Sequence, residues 1–95
     1  MDEKIGHFYT ETDRLITDQS VRLKNIIITP DAGTVADVTI YNGRDTNGES
    51  IGTFRTGSGI TLPLLFEGGM LCDRGIYVDV GSNVTGVLIV WEYID

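Results

Sequence analysis

The sequence predicts an all-β domain, and three observations carry the prediction. No window sustains i, i+3, i+4 apolar spacing with capping residues, so helix signals are nearly absent. Short runs rich in Val, Ile, Thr and Tyr recur instead, several of them alternating apolar with polar side chains. Gly, Asn, Asp and Ser punctuate those runs, and the chain carries 12 Gly against 2 Pro. Turn spacings near ~10 residues and about seven or eight short antiparallel strands describe a β-sandwich or a small barrel rather than a βαβ fold.

Residues 1–20 carry the weakest pattern. Ile5, Phe8 and Tyr9 stand in a polar, acidic setting, followed by Arg14, Leu15 and Ile16. They read as an N-terminal arm, partly extended, leading into a single sandwich domain over residues 21–95. In VRLKNIIIT, residues 21–29, Val21 and Leu23 alternate with Arg22 and Lys24, and three Ile follow. Alternation fails near Asn25, which predicts a bulge or a change of environment there. Pro30 to Gly33 reads as a turn. TVADVTIY, residues 34–41, is the next strand, with Ala36, Val38 and Ile40 inward.

A polar hairpin loop then leads to a strand over Ile51 to Thr56, and Gly57-Ser58-Gly59 turns the chain again. Ile60 to Phe66 is apolar, and Pro63 inside it marks an edge strand or a bulge. Gly68-Gly69 is a further turn signal before the short apolar run Met70-Leu71-Cys72. In GIYVDV, residues 75–80, Ile76, Val78 and Val80 face inward and Tyr77 and Asp79 outward. Gly81-Ser82-Asn83 leads to the last strand, residues 85–94. That strand departs from simple alternation. Val87, Ile89, Trp91 and Tyr93 share one face, but Leu88, Val90 and Ile94 make the other face apolar too, broken only by Glu92. Either the arm or a loop covers this second face, or another subunit does.

The 95 residues suffice for one core but not for two. A net charge of −7, with seven scattered basic residues, argues against nucleic-acid binding. The longest apolar run falls far short of the ~20 residues of a membrane-spanning helix. Cys72 is the single cysteine, so an intrachain disulfide is impossible. The acidic opening MDEKIGHFY lacks the apolar stretch of a secretory leader, and synthesis in a reducing compartment is expected.

Candidate chemistry is sparse. Asp45-Thr46-Asn47-Gly48 echoes the middle of a calcium loop. With Gly48 as the turn glycine, however, the first ligand position falls on Gly43 and the closing glutamate position on Phe54. Two Asn-Gly pairs in the same loop, Asn42-Gly43 and Asn47-Gly48, are hairpin-turn chemistry. His7 is the one histidine, which excludes a two-histidine zinc site. Asp37, Asp79 and Glu92 are the strand carboxylates available for paired acid–base work, and with 14 acidic residues a chance pairing carries little specificity. Gly57-Ser58-Gly59 lacks the lysine and following helix of a phosphate loop. Tyr41, Tyr77 and Tyr93 are candidate outer-face aromatics, which leaves open a glycan-binding module. No metal, cofactor or catalytic site is expected.

The segments RLKNIII, GTVADVTIYNGRDTNGESIGTF and GSGITLPLLFEGGMLCDRGIYVDVGSNVTGVLIVWEY resemble, in their order and phrasing, small structural proteins of tailed bacteriophages. The resemblance covers about three-quarters of the chain and rests on Gly33-Thr34-Val35, Tyr41-Asn42-Gly43, Gly75-Ile76-Tyr77-Val78 and Thr85-Gly86-Val87. It implies a jelly-roll-like sandwich and a non-enzymatic virion component, such as a capsid decoration (cement) protein or a head or tail accessory protein. Made in the bacterial host cytoplasm, it would bind the major capsid protein or other virion proteins as a homo-oligomer, a trimer being favoured. Ile5, Phe8 and Tyr9 of the arm, with Leu88, Val90 and Ile94 of the last strand, are the candidate partner-interface residues. A glycan-binding module for host attachment is the alternative.

Overall fold

A computed structural model describes residues 4–94. Eight strands run in chain order: β1 (Ile5–Thr10), β2 (Arg14–Thr17), β3 (Val21–Pro30), β4 (Asp37–Asn42), β5 (Glu49–Arg55), β6 (Leu62–Cys72), β7 (Ile76–Val80) and β8 (Val84–Tyr93). They form two four-stranded sheets, β1-β8-β3-β6 (sheet A) and β2-β7-β4-β5 (sheet B), with every pairing antiparallel. Successive strands cross from one sheet to the other except at the β4–β5 hairpin, which is the wrapping of an eight-stranded jelly roll.

Alternation decides which side chains fill the space between the sheets. Sheet A contributes Val21, Leu23, Ile26, Ile28, Val87 and Ile89, all fully buried, with Cys72 and Trp91. Sheet B answers with Val38, Ile40, Ile76 and Val78, and Ala36 closes the core from the preceding loop. The bulge expected near Asn25 is present: the register of β3 against both its neighbours shifts between Leu23 and Asn25. That one extra residue moves Ile26 and Ile28 inward and Ile27 outward, so three consecutive isoleucines serve two faces.

Three readings from the sequence change. The segment expected as a separate arm is, over Ile5–Thr10 and Arg14–Thr17, the first strand of each sheet, so no domain boundary falls near residue 20. Its alternation is hard to see because the inward residues of β1 are Gly6, Phe8 and Thr10, only one of them a large apolar side chain. Gly6 is inward for a physical reason: the Trp91 indole occupies the space that a side chain there would need. Arg14 from sheet B places its guanidinium 4.6 Å from the centroid of the Phe8 ring in sheet A, closing the open edge between the sheets.

Secondly, Gly68-Gly69 does not reverse the chain. Both residues have positive φ, 77° and 82°, and sit within a continuous β6. Between Leu65↔Asn25 and Met70↔Leu23, β6 advances five residues while β3 advances two, so the glycines belong to a wide bulge. Thirdly, residues 34–36 are loop. The Thr34 amide donates to the Asp31 carbonyl at 3.1 Å, and the Ala36 amide donates to Thr56 Oγ1 at 3.0 Å. Pro63 lies, as its ring demands, on the edge strand of sheet A.

Candidate functional site: the outer face of sheet A

The register of sheet A places its outward side chains in three rows across all four strands. Tyr9, Leu88, Ile27 and Pro63 form the first. His7, Val90, Asn25 and Leu65 form the second, and Ile5, Glu92, Arg22 and Leu71 the third. Eight of these twelve positions are apolar. The rows are two residues apart on β1 and β8, whereas the bulges set Arg22 three residues from Asn25 and Leu71 six from Leu65, so the apolar side chains concentrate in the first row and in Val90 and Leu65 of the second. Exposed apolar side chains gathered on one face are the kind of surface that marks an interaction site. Exposure is greatest on the edge strands, where Leu65 is 75% exposed, Leu71 51%, Tyr9 50% and Ile5 48%, while Ile27, Leu88 and Val90 on the inner strands are half-buried.

Local packing fixes one corner of the face. The Tyr9 ring lies over Gly86, where any side chain would collide with it, and its hydroxyl reaches the Thr85 carbonyl at 3.5 Å. Charge is also segregated. Arg22 stands beside Glu92 in the third row, and Lys24 shares this face with Arg22 where both pack over Gly69. Desolvating the first row, Tyr9, Leu88, Ile27 and Pro63, strands no charge, which is what the centre of a protein-binding surface needs.

The outer face of sheet B is of another character. Thr39 and Thr53 share a hydroxyl hydrogen bond at 2.8 Å, and Tyr41 and Tyr77 stack at a tilt, 6.5 Å between centroids. Burial raises the Asp79 carboxyl above its ordinary range, helped by the charge of Asp13, a hydrogen bond with it, and the charge of Asp37. Asp13 also accepts the Val80 amide at 2.7 Å, and Asp37 accepts the Ser82 amide at 2.9 Å, so both carboxylates hold the chain where β7 ends.

At one end of the sandwich the β4–β5 hairpin lines a cleft of about 450 Å³ with Asp18, Asp73, Arg44 and Arg74. Asn42, 7% exposed, is clamped there: Nδ2 donates to Asp73 Oδ1 and Oδ1 accepts the Arg74 amide, each at 2.9 Å. Asn47 stands in an Asx turn, its amide donating to Asp45 Oδ1 at 2.8 Å. This agrees with the turn reading of the loop. Among the described residues no group of three His, Cys, Asp or Glu side chains could hold a metal ion.

The interface residues expected from sequence divide. Leu88 and Val90 lie at the centre of the sheet A face, with Tyr9 and Ile5 on the adjoining strand. Ile94, 40% exposed, follows the end of β8. Phe8 points the other way and packs on the core. Tyr93, a candidate outer-face ring, also packs on the core, edge-on to Trp91 at 6.1 Å. Leu65, Leu71, Ile27 and Pro63 complete the face and were not singled out by sequence. The signal for Leu65 was the doubled apolar character of Pro63 to Phe66. A smaller exposed apolar tip, Val35 and Ile60, lies at the other end of the sandwich, where the Gly59 amide donates to the Thr34 carbonyl at 2.7 Å.

Of the catalytic candidates, Asp37 and Asp79 lie close enough on sheet B to repel, with Asp13 beside them, and the others stand apart. Glu92 is on sheet A, while Asp37 and Asp79 are on sheet B. His7 faces outward from β1, and Cys72 faces the core from β6 at the opposite edge. Burial, then the charges of Asp73 and Glu49, push the Cys72 thiol up to about 11, so it is neutral at physiological pH. No helix of the described residues is long and apolar enough to cross a membrane. Comparison of the chain with protein-family models finds no match, and neither does comparison with curated proteins or with solved structures.

Proposed function

We propose that this chain is a non-enzymatic structural protein that binds protein partners through the outer face of sheet A. The observation that carries the reading is the apolar face itself, four strands wide, with an uncharged first row and exposed apolar side chains on both edge strands. The resemblance of the chain from Arg22 to its end to small phage structural proteins suggests the partner: the capsid or another virion protein, bound as a decoration or accessory subunit in a symmetric array. A two-sheet sandwich suits that role, because packing the inner faces together leaves the outer face of each sheet free for docking.

The test is cosedimentation of the full chain with assembled capsids of its source, compared with the Leu88→Asp/Val90→Asp double variant. Both positions lie at the centre of the face and neither side chain reaches the core. The wild type is expected to pellet with particles, and the folded double variant to remain in the supernatant. Equal binding of the two would reject this face as the docking surface, and no binding by either would reject the virion role.

A glycan-binding reading draws on a separate observation, the Tyr41–Tyr77 pair near the hairpin cleft with its carboxylates and arginines. Aromatic rings beside polar groups are how sugars are held. A glycan array separates the two readings. Signal lost on Tyr77→Ala but kept in the Leu88/Val90 variant would move the function to sheet B.

A further inference from the structure

The two Asn-Gly pairs of the β4–β5 hairpin are the sequence feature that the binding reading leaves unused. Glycine after asparagine is the pairing most open to spontaneous deamidation, because no side chain shields the following amide nitrogen. Here the fold demands both glycines. A side chain at Gly43 would stand 2.8 Å from the Gly48 Cα, and one at Gly48 would stand 2.7 Å from the Asn42 carbonyl oxygen. The hairpin therefore carries two chemically labile pairs as a condition of its shape.

Their environments differ at one point. The attacking nitrogens are alike: the Gly43 amide donates to the Gly75 carbonyl at 3.3 Å, and the Gly48 amide donates to the Asp45 carbonyl at 3.1 Å. The side-chain amides are not alike. Asn42 is 7% exposed and held at both ends by Asp73 and the Arg74 amide. Asn47 is exposed, and the hydrogen bond it makes among the described residues uses its main-chain amide, leaving the side chain to rotate.

We infer that Asn47 is a site of spontaneous modification by water in the native protein, and that the fold protects Asn42. In the first step the Gly48 nitrogen bonds to Asn47 Cγ, the Cγ–Nδ2 bond breaks, and the Gly48 amide proton leaves with the departing nitrogen as ammonia. Water then opens the cyclic imide at either carbonyl, its hydroxyl going to carbon and its proton to nitrogen, which yields aspartate or isoaspartate. No oxidant or enzyme is required. The product places one more negative charge on a cleft that already holds Asp18, Asp45 and Asp73 against Arg44 and Arg74.

The experiment ages the full-length protein at 37 °C and mildly alkaline pH, and maps by peptide mass spectrometry the gain of exchanging NH for O. In the folded protein, conversion at Asn47 is expected to outpace Asn42 by at least tenfold, whereas in denaturant the two proceed at similar rates. Removing one arm of the clamp with Asp73→Ala, verified as folded by circular dichroism, is expected to raise the Asn42 rate and leave Asn47 unchanged. Equal rates at Asn42 and Asn47 in the folded state would overturn the inference. So would an Asn47 rate in the folded protein no faster than that of Asn83, which precedes a valine.

Discussion

Ile26 on β3 and Leu65 on the adjacent β6 point to opposite faces of sheet A, and truncating each to alanine tests whether the outer face is free in the isolated chain. Ile26 is fully buried in the core. Ile26→Ala removes that burial and leaves a cavity, which costs about 2–5 kcal/mol. In a domain of this size that lowers Tm by roughly 10–30 °C. Leu65 is 75% exposed, so only a quarter of its side chain is withdrawn from water by the monomer. Full burial of a leucine contributes about 1.5–3 kcal/mol, and a quarter of that is about 0.4–0.8 kcal/mol.

Urea unfolding followed by the fluorescence of Trp91 measures both, because the single tryptophan is 5% exposed and reports the core directly. The midpoint of Ile26→Ala is expected to fall steeply and that of Leu65→Ala to move slightly, with a common slope. In partner binding the ranking reverses, with Leu65→Ala weakening the complex by about 1 kcal/mol or more, as an interface anchor does. If Leu65→Ala destabilises the dilute monomer as much as Ile26→Ala does, the face is covered within the chain and the proposed docking surface is wrong. A Leu65→Ala penalty that grows with protein concentration would instead point to self-association through this face.

Deleting residues 1–20 removes β1 and β2, one edge strand from each sheet, and is expected to abolish cooperative unfolding; a truncated chain that still melts cooperatively would show those strands to be dispensable. Gly75 has φ of 112° and no room beside the Thr17 carbonyl, so Gly75→Ala is expected to destabilise by about 2 kcal/mol or more. For Cys72 the folded thiol ionises near 11 and the unfolded one near 9.0. Its contribution is whole below pH 9 and is lost as pH rises towards 11, up to about 2–3 kcal/mol relative to Cys72→Ala; native protein should also resist thiol reagents that label it readily in urea. Asp79 shows the same sign at acid pH. Its carboxyl is raised, so Asp79→Asn is expected to stabilise the fold at neutral pH, and the gain should vanish as pH falls and wild-type Asp79 takes up its proton. A variant that is no more stable at pH 7 would show that solvent screens the Asp13–Asp79 repulsion completely.

Much of the fold was legible because alternation is a local property. The inward sets Val38/Ile40 and Ile76/Val78, the polar hairpin after β4, the bulge near Asn25 and the edge position of Pro63 all follow from residue type and spacing. So does the double-sided apolar character of β8. What local pattern could not supply was the partner across the sheet. Gly6 is blank in sequence and becomes an inward residue only because Trp91 fills its space. Phe8 looked like a free anchor until Arg14, from the other sheet, closed over it.

By itself, then, the sequence determined the all-β class, the strand count to within one, the turn character of the Asn-Gly hairpin and the surplus of apolar surface on the last strand. Those follow from propensity and period, which each residue carries with it. Only the tertiary structure decided the jelly-roll order and the outer rows that join Leu88 to Tyr9, Ile27 and Pro63. It alone separated the clamped Asn42 from the free Asn47. These are relations between residues distant in sequence, set by register and by what must fit between two sheets, and no window of the chain contains them.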